Sequence, residues 1–192
     1  MRFSTASSPH IAPNSEVSRL MRQVLLALVP GTAIATWFFG WGVLVNILLS
    51  VSAGLLAEAL MLALRRRPLK PFLMDGSVVV TAWLLAVCLP PLAPWWLPVV
   101  GIVFAVVVAK HLYGGLGFNL FNPAMVGYVV LLISFPREMT QWMLPHGIAA
   151  SSLSLPEALG VVFGGHLPPG IGWDALSGAT PLNAYKTETG QG

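Results

Sequence analysis

Five apolar segments with almost no charged side chains constrain the fold of this chain more than any other feature. They run from about Val24 to Trp41, Val43 to Leu64, Ser77 to Leu89, Trp95 to Leu112 and Phe121 to Phe135. Only 9% of the 192 residues are charged and 56% are hydrophobic, whereas soluble domains average about 25% charged residues. A bilayer is therefore the expected solvent of this chain. The predicted fold class is an all-α membrane protein with five transmembrane helices.

The positions of lysine and arginine predict the orientation of these helices. Basic residues precede the first segment, fill the loop at Arg65–Lys70 and end the fourth segment at Lys110, while the intervening loops carry none. Loops rich in lysine and arginine stay on the cytoplasmic side. We therefore predict a multi-pass protein of a bacterial inner membrane. Its predicted parts are a cytoplasmic tail (1–22), a five-helix bundle (23–135) and an irregular periplasmic segment (136–192) with a short helix around Pro156–Gly164.

The net charge of +3 does not indicate a nucleic-acid partner. The basic residues lie beside apolar segments, and no basic patch is interleaved with aromatic residues. The single cysteine, Cys88, excludes a disulfide within the chain. The four histidines, among them His111 and His146, show no metal-ligand spacing, so no metal site is predicted.

The third and fifth segments are shorter than the ~20 residues that span the hydrocarbon core. Pro90, Pro91 and Pro94 interrupt the third. Broken or short spans often mark a site within the membrane, because irregular backbone is tolerated there only inside protein or along a cavity. The alternative for the third segment is a short helix that the interfacial pair Trp95–Trp96 extends.

A run of small residues beside an acid lies at Asp174–Thr180 and has the pattern D-x-x-S-G-A-T. Its candidate cofactor-binding members are Asp174, Ser177, Gly178, Ala179 and Thr180. The small residues leave the backbone open to a bulky anionic group, the serine can bond a phosphate, and the acid can help present the loop. The pattern resembles the site at which flavin transferases attach FMN to threonine through a phosphoester bond. We therefore predict covalent FMN on Thr180; a structural turn before Pro181 is the alternative.

A loop rich in glycine and asparagine follows the fourth segment and contains G-G-L-G-F-N-L-F-N-P-A within Lys110–Ala124. Asn122 before Pro123 is typical of a helix start, with Asn as the cap and Pro in the first turn. Folded back into the protein, the loop could also cradle a flavin ring or line an ion path. Asn119 and Asn122 are therefore candidate cofactor-binding residues, and the sequence leaves capping and binding open.

Glu58 is the one charged residue inside the second segment. It precedes the arginines at 65–67 by about seven residues, or ~10 Å along a helix. A carboxylate in a membrane is costly unless it is paired, which makes it a functional candidate by default. We therefore predict an ion-coupling role for Glu58. The alternatives are a pair with Lys110 or with a neighbouring subunit, or contact with water near the interface. Asp75, by contrast, is expected to cap the third helix.

The glycine- and asparagine-rich loop within Lys110–Ala124 and the D-x-x-S-G-A-T motif at Asp174–Thr180 lie on either side of the fifth apolar segment. With these two motifs in this order, the chain resembles members of the RnfD/NqrB family. Its members belong to the Rnf complex and to the similar sodium-pumping NADH:quinone oxidoreductase. The resemblance covers essentially the whole chain, which corresponds to the first half of a family member, so we expect a fragment of a longer protein. It implies two related five-helix bundles arranged as in urea transporters, with this chain supplying the first. It also implies FMN on the threonine that matches Thr180.

The resemblance implies a function as well. A family member of the Rnf type carries electrons within a redox-driven complex that connects ferredoxin with NAD and couples electron flow to sodium or proton transport. Implied partners are the other Rnf subunits (RnfA, RnfB, RnfC, RnfE and RnfG), a flavin transferase for maturation and the lipid bilayer, and little activity is expected of the chain alone. Two rivals stay open: a non-redox transporter or channel for ions or small solutes with a similar bundle, and a scaffold that only anchors other subunits.

Overall fold

The computed structural model describes residues 17–147 and 153–170, together with residues 172 and 176. Within these residues every regular element is helical, which confirms the all-α prediction. The helices are α1 (Val17–Phe39), α2 (Gly42–Leu64), α3 (Leu69–Leu73), α4 (Ser77–Val87), α5 (Trp96–Val103), α6 (Pro123–Ser134), α7 (Pro136–Thr140) and α8 (Leu155–Gly164). Helix α5 continues directly into a π-helix at Phe104–His111, here called the π segment.

Three helical stretches are long and apolar enough to cross a membrane, namely Val17–Phe39, Gly42–Leu64 and Leu69–Val87. Trp96–His111, Pro123–Ser134 and Leu155–Gly164 are apolar but shorter. These stretches support the prediction of a multi-pass membrane protein, while the count of five crossings and the division at residues 22 and 135 stay predictions. Helix α1 begins at Val17, so the last residues of the predicted tail are already helical.

The long helices run back and forth between two ends of the bundle. We call one the basic end, after Arg65, Arg66, Arg67 and Lys70, and the other the proline end, after Pro90, Pro91 and Pro94. At the proline end, the amide of His146 donates to the carbonyl of Phe38 at 2.7 Å, and the amide of Trp95 donates to the carbonyl of Val162 at 3.0 Å. These bonds hold the chain after α7, and α8 itself, against the proline end.

Small residues allow the central helices to pack closely. A Cβ at Gly127 on α6 would lie 2.5 Å from the carbonyl oxygen of Gly101 on α5, so only glycine fits there without movement. Around this contact lie fully buried core side chains, including Leu85, Leu97 and Leu131. Close approach through small residues is typical of helix packing in membranes, where lipid supplies no hydrophobic drive between helices.

The outer helix surfaces are strongly apolar. Helix α1 buries only Thr32 among its described residues, and leucines on α2 such as Leu48 and Leu56 are more than two-thirds exposed. A soluble protein seldom exposes such continuous apolar faces. The pattern therefore fits a bundle whose outer surface contacts lipid or further protein.

Candidate functional site

Four polar side chains from three helices meet inside the bundle near the basic end. Glu58 lies on α2, Ser77 begins α4, and Lys110 and His111 end the π segment. The Lys110 Nζ donates to Glu58 Oε1 and to Ser77 Oγ, both at 2.9 Å. Glu58 is 1% exposed and Lys110 is 2% exposed, so the ion pair is shielded from solvent. We call these four residues the Glu58 cluster. The pair with Lys110, one of the sequence-based alternatives for Glu58, is confirmed.

Asp75 orients Ser77 within this cluster. Asp75 Oδ1 accepts from the backbone amide of Ser77 at 2.7 Å and from Ser77 Oγ at 2.6 Å. Gly76 between them takes the left-handed conformation with φ of 78°, which costs glycine little. Asp75 therefore binds the first backbone amide of α4 from the position before the N-cap, which Gly76 occupies. Because the serine hydroxyl donates to Asp75, its oxygen is left to accept from Lys110.

His111 faces the other oxygen of the Glu58 carboxylate. Its Nε2 lies 3.0 Å from Glu58 Oε2, yet the two atoms are not aligned as a hydrogen bond, and neither has a partner among the described residues. The backbone oxygen of His111 accepts from Arg65 Nη1 at 2.9 Å. The fold thus places the ring of His111 against Glu58, a contact that the sequence analysis does not predict.

The π segment explains how two adjacent basic residues both point inward. Neighbours on an α-helix are separated by about 100° around the axis, so Lys110 and His111 would not ordinarily share a buried face. The wider turn is visible where the amide of Leu112 bonds the carbonyl of Val107, five residues earlier, at 3.1 Å. π-Helical turns are rare and occur frequently at functional sites.

Further polar groups on α2 lie on the same face as Glu58. Asn46 and Ser50 are both fully buried and precede Gly54 and Glu58 at intervals of four residues, which share one helix face. Asn46 Nδ2 donates to the carbonyl of Pro90 at 2.9 Å. Asn46 Oδ1 and Ser50 Oγ have no partner among the described residues. Together with Glu58, these residues form a polar stripe on α2.

The two loop asparagines make local contacts. Asn122 Oδ1 accepts from the amide of Ala124 at 3.0 Å, with Pro123 in the first turn of α6, so the predicted cap is confirmed. Asn119 accepts from the amide of Gly117 and donates to the carbonyl of Phe121. Their role beside a flavin or along an ion path stays a prediction.

A cavity of about 740 Å³ opens near the proline end. Its lining is mainly apolar and includes the aromatic rings of Trp37, Trp41, Trp83 and His146. Trp83 Nε1 donates to Thr32 Oγ1 at 2.8 Å, so both polar atoms are satisfied within the protein. The volume falls within the roughly 300–1,000 Å³ that is typical of small-molecule sites. The cavity is therefore large enough for an aromatic cofactor.

The predicted flavin-attachment residues lie outside the described part of the chain: Asp174, Ser177, Gly178, Ala179 and Thr180. Leu176, within the same motif, is described and is 1% exposed. Its carbonyl accepts from the amide of Leu144 at 3.0 Å, and Leu144 lines the cavity. The motif is thereby connected to the cavity wall by one described residue.

Comparison with known proteins identifies clear relatives. The model of the NQR2, RnfD, RnfE family matches residues 4–191. Relatives from Shigella dysenteriae and Escherichia coli, each named as the D subunit of an ion-translocating oxidoreductase complex, are 53% identical over 199 aligned residues, which cover 100% of this chain and 56% of theirs. The protein of the same name from Citrobacter koseri is 53% identical over 194 residues, covering 97% and 55%. The chain thus spans a little over half the length of these relatives.

Proposed function

The chain belongs to the NQR2, RnfD, RnfE family, and we propose that it forms part of the FMN-carrying electron-transfer subunit of a membrane oxidoreductase complex. The match over residues 4–191 carries this proposal, together with the name of the relatives, which describes an ion-translocating complex. In the proposed complex, electrons pass between ferredoxin and NAD with RnfA, RnfB, RnfC, RnfE and RnfG as partners. Because the chain covers 56% of those relatives, a complete activity is proposed only for the full-length protein.

FMN would be attached to Thr180 by a flavin transferase. Support comes from the motif D-x-x-S-G-A-T, in which every fixed position is present, and from the bond between Leu144 and Leu176. Four residues of chain reach at most about 14 Å, so a flavin tethered at Thr180 lies within reach of the cavity. When bound, FMN supplies a ring that accepts and releases electrons.

The cavity fits the ring of such a cofactor. Trp37, Trp41 and Trp83 offer flat apolar surfaces, and aromatic rings stack well on other aromatic systems. The apolar lining excludes water, and burial together with local hydrogen bonds tunes a flavin's potential. The residues of the chain would thus hold and shield the ring, while the phosphoester fixes its position.

Ion coupling is proposed at the Glu58 cluster. The basic end is assigned to the cytoplasm by its arginines and lysine, which assigns Glu58 to the cytoplasmic half of the inner membrane and Thr180 to the periplasm. The flavin and the buried carboxylate would then lie toward opposite faces. In this arrangement, electron transfer at the flavin and ion handling at Glu58 would take place toward different faces of the membrane.

Flavin fluorescence after denaturing electrophoresis tests the proposal. The chain is co-produced with the flavin transferase, and fluorescence that survives SDS is expected in the wild type and lost in Thr180→Val. Thr187→Val is the matched control, because it removes the same hydroxyl seven residues later and should retain fluorescence. An unlabelled wild type without added FMN mass would refute the electron-carrier function and favour the non-redox transporter or the scaffold.

A further inference from the structure

Two buried polar atoms on α2, Asn46 Oδ1 and Ser50 Oγ, have no hydrogen-bond partner among the described residues. Asn46 and Ser50 are each 0% exposed. Burial of a polar group without a hydrogen bond is costly, and buried side-chain polar atoms in folded proteins are in large majority hydrogen-bonded to protein or to ordered water. The two atoms therefore indicate a bound group that is not itself one of the described residues.

The orientation of the Asn46 amide is fixed by the proline end. Its Nδ2 donates to the carbonyl oxygen of Pro90 at 2.9 Å. A reversed amide would place two acceptor oxygens against each other at that distance. Asn46 Oδ1 therefore faces away from Pro90 and has to accept a hydrogen from another group.

The Ser50 hydroxyl does not use the acceptor that other hydroxyls in this bundle use. Ser52, on the same helix, donates to the carbonyl of Leu48 at 2.7 Å, and Thr81 on α4 also donates to the carbonyl four residues earlier. Ser50 makes no such bond within the described part of the chain. Its hydroxyl is therefore able to bond a group that lies beside the helix.

The spacing of Asn46 and Ser50 suits one bridging water molecule. Side chains four residues apart lie on the same helix face, with Cβ atoms about 5–6 Å apart. Two hydrogen bonds of about 2.8 Å that meet at one water oxygen span a similar distance. A water molecule can donate to the amide oxygen and accept from the hydroxyl at the same time, so it matches both atoms.

The groups around this pair are uncharged and close it off along α2. One turn before the pair, a Cβ at Gly42 would overlap the carbonyl oxygen of Pro91, so the proline loop lies directly on this face. One turn after the pair, a Cβ at Gly54 would lie 3.0 Å from Ile102 Cγ1. A cation bound between an amide and a hydroxyl here would lose its hydration without a negative charge in compensation, which favours water as the occupant.

We propose that Asn46 and Ser50 hold one buried water molecule, which donates to Asn46 Oδ1 and accepts from the Ser50 hydroxyl. Because Asn46 also bonds Pro90, the water completes a chain of hydrogen bonds from the middle of α2 to the proline loop. Buried waters of this kind are part of the structure and are costly to remove. The water thus helps to hold the interrupted third span in place, and this role is independent of the proposed electron-transfer function.

The stability of Ser50→Ala has a sign that depends on the water. If the hydroxyl bonds a bridging water, its removal breaks that bridge and should lower the SDS concentration at the unfolding midpoint of the full chain in mixed micelles. If the hydroxyl has no partner, its removal relieves an unsatisfied buried group and should raise the midpoint. Ser52→Ala is the matched control, because it makes the same change of helix propensity on the same helix. A midpoint for Ser50→Ala that equals or exceeds that of Ser52→Ala would overturn the proposal.

Proton-detected solid-state NMR of the full chain in lipid bilayers identifies the bound group. The chain carries ¹⁵N-labelled asparagine, and the Asn46 side-chain signals are those that disappear in Asn46→Asp. We expect a cross-peak between water and the Asn46 side-chain amide, and a several-fold loss of its intensity in Ser50→Ala but not in Ser52→Ala. Absence of the cross-peak in the wild type would overturn the proposal. So would a midpoint that falls when potassium chloride replaces sodium chloride in the wild type but not in Ser50→Ala, because the occupant would then be a cation.

Discussion

Removal of the Glu58 side chain should strongly destabilise the bundle. Glu58→Leu leaves the Lys110 ammonium with Ser77 Oγ as its one remaining acceptor among the described residues, and it removes the carboxylate oxygen that faces His111. Loss of one partner of a buried ion pair costs about 3–5 kcal/mol, because the other charge stays buried without compensation. We expect a loss of stability in that range.

Lys110→Met should be costly in the same way, because it leaves the Glu58 carboxylate buried without its ammonium partner. In the double variant Glu58→Leu/Lys110→Met, both charges of the pair are gone. Apolar replacement of a whole buried pair is often close to neutral. The double variant should therefore recover most of the loss caused by Glu58→Leu.

Unfolding in mixed micelles, followed by tryptophan fluorescence during SDS titration, measures these differences. Arg137→Met is the matched control for Lys110→Met, because Arg137 is exposed on α7 and surface changes usually stay within about ±0.5 kcal/mol. Additive penalties in the double variant would refute the energetic coupling of Glu58 and Lys110.

Two further predictions concern packing and capping. Gly127→Ala should destabilise by about 1–3 kcal/mol, because its Cβ would lie 2.5 Å from the Gly101 oxygen; Gly160→Ala, with open space at Cβ, should not, and equal thermal midpoints would contradict this. The side-chain hydroxyl of Ser154, and then its backbone amide, lower the pKa of Glu157 by hydrogen bonding. This contribution to α8 is present above the unfolded-state pKa and is lost as pH falls through the lower folded-state pKa. The protection factors of the α8 amides, which correct for the intrinsic exchange rate at each pH, should therefore fall on acidification, and less so in Ser154→Ala; the same fall in both would contradict it.

Local chemistry made much of the fold predictable. Helix α6 begins where Asn122 and Pro123 predicted it, because a cap and a first-turn proline act within a few residues. The predicted segments at Val43–Leu64 and Ser77–Leu89 correspond to α2 and α4 within two residues. The pair between Glu58 and Lys110 was among the alternatives, since a lone acid in an apolar span needs a basic partner.

The role of His111 could not be predicted in the same way. Predictions from hydrophobic periodicity assume a regular α-helix. In such a helix, the side chains of Lys110 and His111 would point in different directions. The π segment changes the register by using a wider turn, and no local signal in Phe104–His111 marks that change. The sequence offers one hint: Lys110 and His111 are adjacent basic residues at the end of a segment without charge, in a chain whose bundle contains one membrane-embedded acid.

The polar stripe on α2 is interrupted by close apolar packing at Gly54. Between Ser50 and Glu58, which are ~12 Å apart along the helix, a Cβ at Gly54 would lie 3.0 Å from Ile102 Cγ1 and 3.3 Å from Val78 Cγ2. These apolar side chains pack against α2 between Ser50 and Glu58 and divide the polar stripe into two parts. Exchange of an ion between Glu58 and the proline end along this face of α2 would therefore require Ile102 and Val78 to move.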